Sequence, residues 1–242
     1  MKLCVAQVRP IKGDIEQTIT NHQRLIDLAV SNGAEIVIFP ELSLTGYEPE
    51  LASELATTPD DRRFDIFQQI SDTRQITIGV GVPIKGEAGI WISLVLFQPQ
   101  QARHLYSKKY LHADEEPFFV SGKSTVTALG PEARIALAIC YELSVPEHSE
   151  NAFKNGAKVY ITSVAKSASG MEKAGETLSA IARNYAMTVL IANSVGFCDT
   201  FESAGKTAIW NNQGQLVGQL DDTEEGIVLI DTDTQEVIER TL

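Results

Sequence analysis

Apolar residues arrive along this chain in short dense runs separated by amphipathic stretches, so the dominant period switches repeatedly between that of a strand and that of a helix. Residues 2–9 read as a strand. Residues 14–32 then carry apolar side chains three and four apart, which predicts an amphipathic helix with Gly13 or Asp14 at its N-cap and Asn32-Gly33 at its stop. The run Glu35 to Phe39 is the next strand, and Pro59-Asp60 cap a helix over 60–73 with Phe64, Phe67 and Ile70 on one side. Strands at 76–84 and 90–98 are joined by the Gly-rich IKGEAG turn, and a further strand covers 101–106. From 107 to 124 no period holds, which predicts a long ordered loop; loops of that length inside a compact domain are usually functional.

The alternation resumes with a strand over 133–139, a helix over 146–155 stopped at Asn155-Gly156, a strand over 158–162, a helix over 171–187 and a strand over 188–194. Short strands at 205–210, 215–219 and 226–230 close the chain. Helices early in each half and hairpins late argue for an α/β or layered αββα architecture, not a purely parallel doubly wound sheet. With 242 residues, 43% hydrophobic and 21% charged, the chain fits one large domain over 1–242.

A formal net charge of −12 and a pI near 4.8 oppose binding to nucleic acid or to an anionic membrane, both of which need clustered Lys and Arg. The longest apolar runs fall far short of a membrane span, and the apolar stretch before Arg9 is too short for a secretory signal core. Three cysteines, Cys4, Cys140 and Cys198, show neither a disulfide framework nor metal-ligand spacing. A cytoplasmic protein with reduced thiols, no metal and no membrane is the expectation.

Three chemical groups stand at element ends. Cys140 ends the run ARIALAIC and is followed at once by polar, turn-forming YELSVPEHSE, so its thiol leaves the sheet where sites form in layered α/β proteins. Glu41 stands in the same relation to the run EIVIF, which breaks at Pro40. Buried alone it would be costly, so it needs a cationic partner. Lys108 and Lys109, in HLYSKKYLHADEEPFF, both offer one. A thiol of ordinary pKa is only a few per cent thiolate at neutral pH and needs a base or cation beside it. His112 and His148 are the histidines nearest in sequence to such a role, with no companion at a revealing place, while Cys4 and Cys198 read as small buried hydrophobes. The glycines of GVGVPIKG sit in a strand and its hairpin and do not open a helix, which argues against dinucleotide binding.

FPELSLTGY, YSKKYLHADEEPFF and ICYELSVPE, in that order, resemble the three signature segments of the nitrilase superfamily, the carbon–nitrogen hydrolases, in its amidase-like branch. The likeness extends over nearly the whole chain. It implies a four-layer αββα sandwich and a Glu-Lys-Cys triad of Glu41, Lys108 and Cys140, leaving Lys109 in the variable place. Glu116, the carboxylate before the aromatic pair, aligns with the second glutamate that many members use beside the triad. Where many amidase members carry an arginine after the cysteine this chain has Ser144, so no substrate-carboxylate role is expected there. The resemblance also implies a homodimer, no organic cofactor, and hydrolysis of a small amide through a cysteine thioester. Tyr47, Tyr141 and Lys166 are the expected substrate-binding residues, with Phe118 and the segment Ser163 to Gly170 as neighbours. The ending at ERTL points to amides before nitriles and to modest tail-mediated assembly. Hydrolysis of N-carbamoyl compounds, acyl transfer to an amine, and a non-catalytic partner-binding role stay open beside it.

Overall fold

In β1 (Lys2–Gln7) successive side chains enter different cores: Leu3 and Val5 pack into one, Cys4 and Ala6 into another. A strand buried on both faces has no polar side, which is why its sequence is continuously apolar. The same division splits β2 (Ile36–Ile38), where Ile36 and Ile38 join Leu3 while Val37 faces away. It also splits β7 (Ile135–Ile139), whose isoleucines and Leu137 share that inner core while Ala136 and Ala138 face outwards.

The computed structural model describes residues 1–123, 128–130 and 134–242. Ala133, the first residue of the predicted strand 133–139, and Ser124, the last of the predicted loop, lie outside the described residues. One sheet has seven strands, adding β3 (Thr77–Lys85), β4 (Ile90–Phe97), β5 (His104–Ser107), β14 (Gly226–Asp231) and β15 (Val237–Thr241) in the order β15-β14-β1-β2-β3-β4-β5. The other has six: β6 (Ala128–Leu129), β7, β8 (Val159–Val164), β9 (Thr188–Asn193), β12 (Ala208–Trp210) and β13 (Leu216–Gln219), in the order β13-β12-β9-β8-β7-β6. In each sheet three neighbouring strands run parallel, β1-β2-β3 and β7-β8-β9, and the outer strands are antiparallel. The second half of the chain thus repeats the plan of the first.

The two sheets face one another across a core that includes Leu94, Leu96, Leu137 and Ile161. Helices α1 (Ile15–Ser31) and α3 (Asp65–Arg74) cover the outer face of the first sheet, and α4 (Pro146–Lys154) and α5 (Ala168–Tyr185) that of the second. This is the four-layer αββα sandwich. Asp14 is the N-cap of α1, accepting from Gln17 N at 3.0 Å, and Ile15, Ile19, Ile26 and Ala29 lie on its buried stripe. Each of these isoleucines contributes about 1.5–3 kcal/mol by leaving water.

The pattern missed β15, which is a half-exposed edge strand and so lacks an apolar run. It also missed the hairpin of β10 (Val195–Cys198) and β11 (Phe201–Ala204), whose turn residue Asp199 adopts a φ of 49° without being a glycine. A short helix, α2 (Ala52–Leu55), interrupts the loop after Glu41.

Candidate active site

Glu41, Lys108 and Cys140 leave the ends of β2, β5 and β7, and the facing sheets bring those three ends together. The Glu41 turn is clamped against β3: Leu44 N donates to Gly81 O at 3.0 Å and Gly81 N to Ser43 Oγ at 3.2 Å. A Cβ at Gly81 would stand 2.3 Å from the Pro40 carbonyl oxygen and 2.4 Å from Leu42 N, so only glycine permits this approach. His22 supports the turn from behind, with Nδ1 on the Thr18 carbonyl at 2.8 Å, Nε2 on Ser43 Oγ at 3.0 Å, and its ring stacked on Phe39. Ser163 Oγ, from the other sheet, donates to the Phe39 carbonyl at 2.8 Å.

Lys108 is fully buried and bridges two carboxylates, donating from Nζ to Glu41 Oε1 at 2.7 Å and to Glu115 Oε1 at 2.6 Å. Burial alone would lower its pKa, but Glu41, Cys140 and Glu115 outweigh burial and hold it above the usual lysine range. Burial pushes the Glu41 carboxyl up; Lys108 pulls it down, Glu115 pushes it up again, and the neighbouring Cys140 thiol pulls it down. Glu41 Oε2 is buried and makes no hydrogen bond among the described residues, so it keeps an open acceptor position.

Cys140 has a φ of 43°, a left-handed conformation that costs a non-glycine residue about 1–3 kcal/mol and is held by its surroundings. The holding group is Glu142, two residues on. Fully buried, it accepts from Ile139 N at 2.8 Å, from Lys109 N at 2.7 Å and from Tyr106 Oη at 2.6 Å. It ties the cysteine turn to the strand that carries Lys108. His148 completes this network, with Nε2 2.9 Å from Tyr106 Oη and Nδ1 2.7 Å from Tyr160 Oη. Burial pushes the Cys140 thiol up to about 11 and Glu41 reinforces the shift; Lys166 and Lys108 oppose it. Cys140 is therefore a thiol at rest, and to act as a nucleophile it would need a base to take its proton.

One sequence-based position is corrected. Glu116 is exposed to solvent, and Glu115 is the carboxylate that reaches Lys108. Residues 115–119 make a single helical turn, with Phe119 N donating to Glu115 O at 2.9 Å, so Glu115 and the buried Phe119 lie on one side and Glu116 on another. Reading inwards from Phe119 by four residues would have selected Glu115. Its second oxygen accepts from His112 N at 2.7 Å, and Tyr47 Oη donates to its first at 3.2 Å. Lys109 is exposed, its ammonium over the Tyr110 ring.

In front of Cys140 opens a cavity of about 260 Å³, at the small end for ligand pockets. Tyr47, Tyr141 and Lys166 all line it. Its far wall comes from the β10–β11 turn, Asp199 to Phe201, which the sequence pattern gave no reason to place there. Among the described residues no group of three or more His, Cys, Asp or Glu side chains is arranged to hold a metal, and no helix is long and apolar enough to cross a membrane.

The carbon-nitrogen hydrolase family model matches residues 2–240. The chain belongs to the carbon–nitrogen hydrolase family. Among similar proteins, "Hydrolase in agr operon" of Staphylococcus aureus is 25% identical over 98% of this chain and 93% of its own length. The glutamine-dependent NAD(+) synthetase of Thermotoga maritima is 22% identical over 98% of this chain, which spans only 42% of that protein. Among solved structures, the amidase from Nesterenkonia sp. AN1 superposes with a TM-score of 0.86 at 22% identity, over 96% of this chain and 92% of its own. A mutant of that amidase is in complex with butyramide, again with a TM-score of 0.86, at 21% identity over 97% of this chain and 92% of its own. Within this carbon–nitrogen hydrolase fold the order Glu41, Lys108, Cys140 is the one the three sequence segments imply.

Proposed function

We propose that residues 1–242 form one hydrolase domain that cleaves the C–N bond of a small amide, releasing ammonia and a carboxylate through a thioester on Cys140. One observation carries this reading: Lys108 bridges Glu41 and Glu115 in a buried site, and Glu115 and Cys140 line the same cavity. Burial raises both Glu41 and Cys140 above their ordinary values, so the carboxylate is a stronger base than usual and can accept the thiol proton during attack. As the sulfur bonds to the amide carbon, the carbonyl π electrons move onto oxygen. Lys108 Nζ and the Tyr141 N–H stabilise that charge, each such donor contributing about 3–4 kcal/mol. Glu41 passes its proton to the leaving nitrogen, ammonia departs, and Glu41 then takes a proton from the water that opens the thioester. Glu115 positions Lys108. Tyr47, Tyr141 and Lys166 contact the substrate.

The names of the relatives support amides and bracket the substrate, since one is bound to neutral butyramide and others are named for glutamine. The free cysteines are compatible with a reducing, cytoplasmic setting, and homodimeric assembly is the arrangement we propose for it. The test is turnover of short amides by Cys140→Ala and Glu41→Gln proteins whose folding is checked by circular dichroism. Both should lose more than about 10³ in kcat. Ammonia release that survives in Cys140→Ala would overturn the proposal.

A further inference from the structure

Lys166 leaves the end of β8 on a backbone fixed from two sides. Its N–H donates to Asn193 Oδ1 at 2.9 Å, and its carbonyl accepts from Asn193 Nδ2 at 3.0 Å and from Ala204 N at 2.9 Å. Asn193 is fully buried, so the base of the lysine is held as rigidly as the sheet. Its half-buried side chain lines the cavity in front of Cys140.

The other charged groups at the cavity have contacts that do not involve Lys166. Lys108 Nζ bridges Glu41 and Glu115 behind the nucleophile, offsetting one of their two negative charges, and the Asp114 carboxylate is taken up by a 2.6 Å contact with His112 Nδ1 at the exposed mouth. Asp199 sits on the exposed hairpin turn. Among the described residues no carboxylate lies within ion-pairing distance of the Lys166 ammonium. The first turn of α5, which follows directly and presents Gly170 to the same cavity, contains no acidic residue and adds positive potential there. Lys166 also acts on the thiol, opposing the rise in its pKa ahead of Lys108. Lys166 thus presents to the small cavity beside Cys140 an ammonium with which no carboxylate among the described residues forms an ion pair.

Resting on the amide-hydrolase reading, we infer that the substrate is an amide carrying a carboxylate a few bonds from the scissile C–N bond, and that Lys166 binds this carboxylate. The carboxylate can sit on the acyl side, as in succinamate or glutaramate, or on the nitrogen side, as in N-carbamoyl-β-alanine. Both present the same anion to Lys166, and the experiment separates them.

Binding is measured by calorimetry on Cys140→Ala protein, which cannot turn over its ligand. Succinamate and glutaramate are compared with butyramide, and N-carbamoyl-β-alanine with propylurea. At least one charged member should bind ten times tighter or more than its neutral partner, and the pair that shows it reveals the side of the bond. Adding Lys166→Met should erase that ratio. Adding Lys166→Glu should invert it in favour of 4-aminobutyramide. Equal affinity for charged and neutral members, or a ratio that survives Lys166→Met, overturns the inference. A lysine acting only on the thiol would leave the ratio untouched, because it would affect both members alike. Turnover by the unaltered enzyme is read separately. A charged amide held by Lys166 but never hydrolysed would contradict the amide-hydrolase reading and leave the anion site standing. Hydrolysis of butyramide with no Lys166-dependent discrimination would do the reverse.

Discussion

The ammonium of Lys108 meets the carboxylate of Glu41 at 2.7 Å with both side chains sealed from solvent. A buried ion pair is weak evidence for stability, but breaking one is expensive because the remaining charge has no water to turn to. Here the remainder would be two carboxylates, since Glu115 shares the lysine.

Lys108→Met is therefore expected to destabilise the fold by about 3–5 kcal/mol near neutral pH and to abolish turnover. Without the lysine, burial and the neighbouring Glu115 charge hold the Glu41 carboxyl further above its unfolded value. The variant should then be least impaired at acid pH and lose stability as pH rises, which urea denaturation at pH 5 and pH 8 will measure. Equal losses at both values would contradict the buried bridge.

Glu115 and Glu116 are adjacent in sequence but differ completely in surroundings. Glu115→Gln should lower kcat by about 10–10³, because it removes the charge that fixes Lys108, while Glu116→Gln should stay within about 0.5 kcal/mol of the parent in stability and leave kcat unchanged. The reverse ranking would restore Glu116 to the site.

Much of this site was legible because two of its groups end apolar runs. A strand buried on both faces must be continuously apolar, so the abrupt polar residues at Glu41 and after Cys140 mark where the chain leaves the core. The choice between Glu115 and Glu116 was not legible, because it depends on one helical turn inside a segment without periodicity. Glu142, Tyr106 and His148 come from three separate elements, the cysteine turn, β5 and α4, and only the packing of the two sheets on one another brings them together. The β10–β11 turn reaches the cavity through a left-handed Asp199, a conformation no residue type there announces.

Gly81 lies far from Glu41 in sequence, and its role is steric. Gly81→Ala should force the Glu41 turn away from β3, since its Cβ would overlap backbone atoms that cannot yield by rotation. We expect a loss of kcat exceeding any change in KM for a small amide, with a lower melting temperature. Near-parental kcat would show that the turn tolerates displacement.

His22 is buried and neutral, with burial lowering its pKa to about 3 against a weaker opposing hydrogen bond to Thr18. The unfolded chain protonates this histidine near pH 6.5 while the folded one refuses the proton, so its contribution to stability is present above pH 6.5 and is lost as pH falls towards 3, at up to about 1.4 kcal/mol per pH unit. His22→Gln should be less stable at pH 7 yet show a shallower decline between pH 6.5 and 4, measured by urea denaturation at each pH. An unchanged slope would place the acid sensitivity elsewhere.

The central claim is a thioester on Cys140 formed with loss of ammonia. Intact mass of the protein, taken within seconds of mixing with succinamate or butyramide while ammonia is assayed in parallel, tests it most directly. The expected result is an adduct equal to the amide minus ammonia, located on Cys140 by peptide mapping, absent in Cys140→Ala and decaying as the carboxylate appears. Ammonia release with no adduct on Cys140 and undiminished turnover in Cys140→Ala would contradict it.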